Sequence, residues 1–381
     1  MRETMGPLTG VRIVELAGIG PGPHACTILA DLGADVIRID RPGGGLFAGG
    51  SADLLNRGRP SVALDLKHPA AVETVLRLVE SADALVEGNR PGVTERLGVG
   101  PAQCLARNPR LVYGRMTGWG QDGPLASAAG HDLTYIATSG VLHGLGQAAG
   151  APQFPVNLLG DFGGGSTYLV IGVLAAIIHA RATGTGQVVD AAIVDGTTHL
   201  TTLLSGLTAQ GAFTETRGSN LLDGGAPFYS LYETADGRYV AVGALEPQFF
   251  DRLVAGLELG EACPGQWELA EWGRMRDLLA STFKQRDMAA WAELFEGTDA
   301  CLAPVLTPTE AREHAHIRAR GIWTDVDGVT QPAPAPRFSA TPGGIAQPPA
   351  ATSGADTRTA LAAWGIGDVD TLIASGAAVQ D

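Results

Sequence analysis

The chain has 381 residues, 45% of them hydrophobic and 17% charged, and its 26 basic against 40 acidic side chains give a net charge of −14. That length buries a large core and predicts two domains, and the apolar content excludes a disordered chain. The negative charge excludes a general nucleic-acid or membrane-surface binder, so a phosphorylated ligand must be held by local arginines.

Residues 11–16 (VRIVEL) are an apolar, branched run that reads as a buried strand. A turn rich in Gly and Pro, from Gly18 to Pro23, leads into helical spacing over 24–32, and residues 34–40 (ADVIRID) give a second strand. This is a βαβ unit, and it predicts a parallel sheet covered by helices. Gly20, Pro21, Gly22 and Ala25 with the acidic Asp40 fit a loose nicotinamide-binding fingerprint. Pro21 and Pro23 weaken that reading, because each removes a backbone donor that a pyrophosphate needs. A nicotinamide oxidoreductase stays open as a rival.

The unit repeats, with strands over 61–66 and 84–87, a helix over 69–80 between them, and another strand over 111–117. Arginines near successive strand ends, Arg41, Arg59 and Arg90, are expected to converge on one sheet edge and to include a phosphate holder. The four cysteines, Cys26, Cys104, Cys263 and Cys301, lie far apart without metal-ligand spacing, so no metal is expected. The start of the chain lacks a basic-then-apolar leader pattern, and a cytoplasmic protein with no membrane association is expected.

Residues 130–166 hold two proton-transfer side chains of different type, His131 and Asp161, each beside glycine. Asp161 precedes an apolar helix over 167–180, at the positive end of its dipole. Gly163 and Gly164 leave backbone bare for a ligand. Next come a strand over 187–192 and one long helix over 193–213. A hairpin follows around Ala235-Asp236-Gly237, with helices over 246–257, 272–283 and 288–295. Residues 331–349 read as an extended Pro-rich linker and 357–364 as a short helix. The expected division is a large domain over 1–190, a linker helix over 191–224 and a smaller α+β domain over 225–320. Residues 321–381 return to the large domain.

Taken in order, Pro7-Leu-Thr-Gly10, Leu32-Gly-Ala-Asp-Val36, Asn56-Arg-Gly58, the run from Arg90 to Gly98, Gly160-Asp161 and Ala235-Asp-Gly237 resemble the class III CoA-transferases. Transferases of that family carry an aromatic residue where this chain has His131. Gly130-His-Asp132 with Gly160-Asp-Phe-Gly163 is similar instead to the family's α-methylacyl-CoA racemase branch, most closely of the bacterial type. The resemblance implies an α/β protein, with a Rossmann-like large domain built from both chain ends, a smaller α+β domain and an interlocked homodimer. It also implies epimerisation of the 2-methyl centre of branched acyl-CoA thioesters. His131 and Asp161 would be the two bases, and Glu246 would orient the histidine across the dimer interface. Arg41, Arg59, Arg90, Asp132, Gly163 and Gly164 are the expected contacts to the CoA ester. Backbone amides at Asp161 and the following glycines are expected to hold the enolate. CoA is part of the substrate and no separate cofactor is expected. Partners are the acyl-CoA and a second copy of the chain.

Two residues depart from the family pattern. Glu87-Gly-Asn-Arg-Pro-Gly92 lacks the usual aromatic residue, and Arg59 replaces a usual lysine. Two further rivals are a CoA-transferase in which Asp161 attacks the thioester and an acyl-CoA binding protein without chemistry.

Overall fold

The computed structural model describes residues 6–44 and 50–381. They form two compact units. One comprises residues up to Ser139, Pro155–Leu200 and Ala319–Asp381, and the other comprises Gly140–Phe154 and Thr201–Arg318. The first unit is therefore built from both chain ends, and residues 140–154 belong with the second.

The first unit is α/β. Its strands β1 (Arg12–Leu16), β2 (Asp35–Asp40), β3 (Ser61–Leu64), β4 (Ala84–Glu87), β5 (Val112–Thr117) and β6 (Gln187–Ala192) join the strand Ala378–Val379 in one seven-stranded sheet. From edge to edge the order is Ala378–Val379, β3, β2, β1, β4, β5, β6. All pairings are parallel except the C-terminal one, where Ala378 lies opposite Leu64 in antiparallel register. The strands alternate between two apolar layers. Val14, Leu16, Ile37 and Ile39 face Val75 and Leu78 of helix α2 (Pro69–Glu80) together with Leu361 and Trp364 near the C-terminus. Ile13, Val36, Val86 and Val112 face Leu29 of helix α1 (Pro21–Asp31) and Leu169, Val173 and Ile177 of the Thr167–Thr183 helix. A sheet covered on both faces reads as short apolar runs, as these do.

Residues 158–183 are apolar and long enough to cross a membrane by length and composition alone. The segment is nevertheless a core helix of this unit, with Leu169, Val173, Ala176 and Ile177 buried against the sheet layer. The Pro-rich stretch is tied down, not free-running. Arg57 donates to Pro332 O at 2.8 Å, Gly58 N–H to Gln347 O at 2.9 Å and Gly344 N–H to Asp31 O at 2.9 Å.

The second unit is α+β, with the three-stranded antiparallel sheet β7 (Tyr229–Glu233), β8 (Tyr239–Gly243) and β9 (Leu302–Pro304). Phe228, Val240, Leu253, Leu279, Phe283 and Trp291 fill its core. The long helix expected over 193–213 does not form. The chain makes two short helices, Ile193–His199 and Thr202–Ala209, which break at the boundary between units. The break falls among β-branched threonines, whose side chains bond back to helix carbonyls, as Thr198 Oγ1 does to Val194 O at 2.7 Å.

Candidate active site

In the strand order the chain reverses direction between β1 and β4, and ligands of open parallel sheets bind outside the carboxyl ends of strands at such a point. A cavity of about 560 Å³ lies there, lined by Gly18 and Gly20 after β1, Asn89 and Arg90 after β4, and Thr117 and Trp119 at the end of β5. His131, Tyr135, Asn157, Asp161 and Phe162 complete its chemically relevant wall. The structure thus brings together His131, Asp161 and Arg90.

His131 is the residue before the Asp132–Thr138 helix. Its N–H donates to Thr134 Oγ1 at 3.0 Å and its carbonyl accepts from Thr134 N–H at 2.8 Å, which fixes the backbone under the imidazole. Gly130 precedes it because a Cβ there would stand 2.5 Å from the Tyr135 ring. The same ring meets Trp119 edge-on at 4.8 Å between centroids.

Asp161 lies in a widened helical segment, Leu158–Ser166, whose hydrogen bonds span five residues, as in Thr167 N–H to Phe162 O. Such segments are rare and recur at functional sites. Asp161 Oδ2 accepts from Asn157 Nδ2 at 3.1 Å. Burial pushes its pKa up and the neighbouring Asp132 adds to this, while the Asn157 bond and the His131 charge pull it down, leaving a net rise. The Tyr135 hydroxyl is likewise raised by burial and by Asp161, and lowered by Arg90.

The contacts expected of Arg59 and Asp132 are corrected. Arg59 is 0% exposed and cannot meet a phosphate. It lies 3.2 Å from Glu15, donates to Pro23 O at 2.8 Å and to Asn56 Oδ1 at 3.1 Å, and also bonds Leu55 O. Asp132 is buried too, and its Oδ1 accepts the Asp161 N–H at 2.7 Å. It braces the Asp161 backbone, and the Asp161 amide expected to hold an enolate is already engaged. Gly163 and Gly164 do not line the cavity. Gly164 is needed for packing, since a Cβ there would meet Thr197 Oγ1 at 2.3 Å. Arg41 is exposed beyond β2 and does not line the cavity either. Glu246 stands in the second unit, as the residue before the Pro247–Gly256 helix.

Asp40, the acid a nicotinamide ribose would require, is bonded to Arg38 Nε at 2.8 Å and to Ser61 Oγ at 2.5 Å. Sequence reasoning passed over Asn157, Tyr135 and Trp119. Asn157 alone carried a signal, its spacing of four residues before Asp161 on a helical segment.

CoA-transferase family III matches residues 8–357. The chain is 44% identical to α-methylacyl-CoA racemase of Mus musculus over 337 residues, covering 88% of this chain and 87% of that one. The Homo sapiens protein of the same name is 42% identical over the same shares. Among solved structures, a CaiB/BaiF family protein from Brucella suis superposes with a TM-score of 0.81 at 26% identity, covering 94% of this chain and all of that one.

Proposed function

The chain belongs to CoA-transferase family III, and from that premise we propose that it acts as an α-methylacyl-CoA racemase, exchanging the configuration of the 2-methyl carbon of branched acyl-CoA thioesters. The observation that carries this reading is the placement of His131 and Asp161 in the wall of one cavity at the sheet's reversal point.

Inversion needs one base to take the α-proton from one face while an acid returns a proton to the other. The C–H electron pair moves into the thioester carbonyl as an enolate, and reprotonation of the carbon restores the ester with no net change in atoms. Burial raises the pKa of Asp161, which favours the protonated form that an acid needs. His131 and Asp161 exchange roles with reaction direction. Arg90, exposed and lining the cavity, supplies the cation for a CoA phosphate. CoA enters as part of the substrate, and the reaction as proposed uses no other cofactor.

We assign the working form as a soluble homodimer. Ile171 and Ile178 of the Thr167–Thr183 helix are 61% and 70% exposed, a face suited to covering by another chain. In that assembly Glu246 of the partner subunit orients His131.

The test incubates the protein in D2O with one pure epimer of a 2-methylacyl-CoA and no acceptor acid. Deuterium at the α-carbon with loss of optical purity is expected, and His131→Ala lowers inversion by about 10²–10⁴-fold, the contribution of a positioned acid or base. CoA moving to an added carboxylate, without inversion, would replace the racemase by a transferase with Asp161 as nucleophile.

A further inference from the structure

We propose that His24 is a positioning residue for Asp161, acting through Ser166 and the Phe162 carbonyl to hold the widened helix in the register that aims the carboxylate at the α-carbon. The inference rests on the racemase reading and adds to it a residue outside the cavity wall.

Three contacts join the start of α1 to this segment. At Gly20, the residue before α1, a Cβ would stand 3.3 Å from Asp161 Oδ2. At Gly165 a Cβ would meet the Pro21 side chain at 3.2 Å. One turn on, the His24 ring packs on Phe162 with centroids 4.5 Å apart, and its Nδ1 is 2.6 Å from Ser166 Oγ. The Ser166 hydroxyl donates to Phe162 O at 3.0 Å, so it must accept from Nδ1–H, which fixes the histidine tautomer.

The Phe162 carbonyl therefore accepts twice, from Thr167 N–H across five residues and from Ser166 Oγ across four. It belongs to the Phe162–Gly163 peptide, one residue past Asp161 and in the middle of the widened stretch. Narrowing this stretch to ordinary helical spacing would rotate Asp161 relative to α1. The chain from Nδ1–H through Oγ to the carbonyl opposes that narrowing, because Ser166 loses an acceptor role, and the ring its packing, when the segment shifts. Burial lowers the His24 pKa, and Arg57 and Arg59 lower it further, so the ring stays neutral with one N–H to give. The turn that invited a nicotinamide reading is thus a brace against the catalytic helix.

A fault confined to one of two bases has its own signature. The base on the opposite face still removes and returns a proton, so exchange with retention survives while inversion fails. The experiment measures α-deuterium incorporation and loss of optical purity, for each epimer, in the wild type, His24→Ala, His24→Asn and Ser166→Ala. An asparagine places an N–H near the Nδ1 position, whereas alanine offers none. Expected for His24→Ala and Ser166→Ala is a fall in inversion of about 10²-fold, the effect of a small misplacement of a reacting group. The ratio of exchange to inversion rises for the epimer presented to His131, KM changes little, and His24→Asn recovers the wild-type ratio. Rates that fall in proportion with an unchanged ratio, or His24→Ala racemising as the wild type does, would overturn the inference while leaving the racemase standing. A wild type that neither exchanges nor inverts would overturn both.

Discussion

At the scale of single residues, charge type in the sequence does not say which way a side chain faces. Arg59 and Arg90 are both arginines near strand ends. Arg90 reaches the cavity, while Arg59 is enclosed beside Glu15. Burial raises the Glu15 pKa and the Arg59 guanidinium opposes that rise. Replacing Arg59 with alanine leaves the carboxyl buried without its partner. The expected loss is about 3–5 kcal/mol, read from urea unfolding. Asn157 makes the opposite case, a neutral side chain that tunes the chemistry. Its bond holds the Asp161 pKa below where burial and Asp132 alone would set it. Asn157→Ala therefore raises that pKa further. When Asp161 abstracts it must be ionised, so the acidic limb of the kcat profile moves to higher pH. When it delivers it must be protonated, so the alkaline limb moves the same way. Parallel profiles in both directions check this. That His131 and Asp161 would share one cavity was legible because a histidine and an aspartate beside glycines are informative as a pair. Asp132 misled because a carboxylate next to a candidate base serves equally well as a brace.

At the scale of elements, periodicity found the βαβ repeats, the hairpin of β7 and β8 and most helices, since buried strands and amphipathic helices write their faces into spacing. It did not find the widened turn at Leu158–Ser166, which differs from an α-helix by one residue in hydrogen-bond span and leaves no periodic trace over nine residues. Glycines there read as ligand approach, yet Gly164 is where the Ile193–His199 helix packs close. Gly164→Ala drives a methyl group into Thr197 and is expected to cost about 1–3 kcal/mol, seen as a lowered thermal midpoint. The long helix expected over 193–213 failed for a related reason. Apolar content carried that expectation, and content does not register where threonine side chains compete for helix carbonyls.

At the scale of the whole molecule, the α/β class followed from alternating strands and helices. The exposed isoleucines of the Thr167–Thr183 helix were hidden in an apolar run that looked uniformly buried. If that face joins two chains, Ile178→Glu shifts the protein toward monomer in sedimentation and makes specific activity fall on dilution. The strand Ala378–Val379 has a consequence for how the protein is made. It covers the outer edge of β3, whose backbone would otherwise present unpaired N–H and C=O groups. β3 is translated some three hundred residues earlier, by the span from Leu64 to Ala378. At about 5–20 residues per second, the nascent sheet therefore carries an open edge for roughly a quarter of a minute to a minute. Until Ala378–Val379 emerges from the ribosome, that edge stays open to a chaperone.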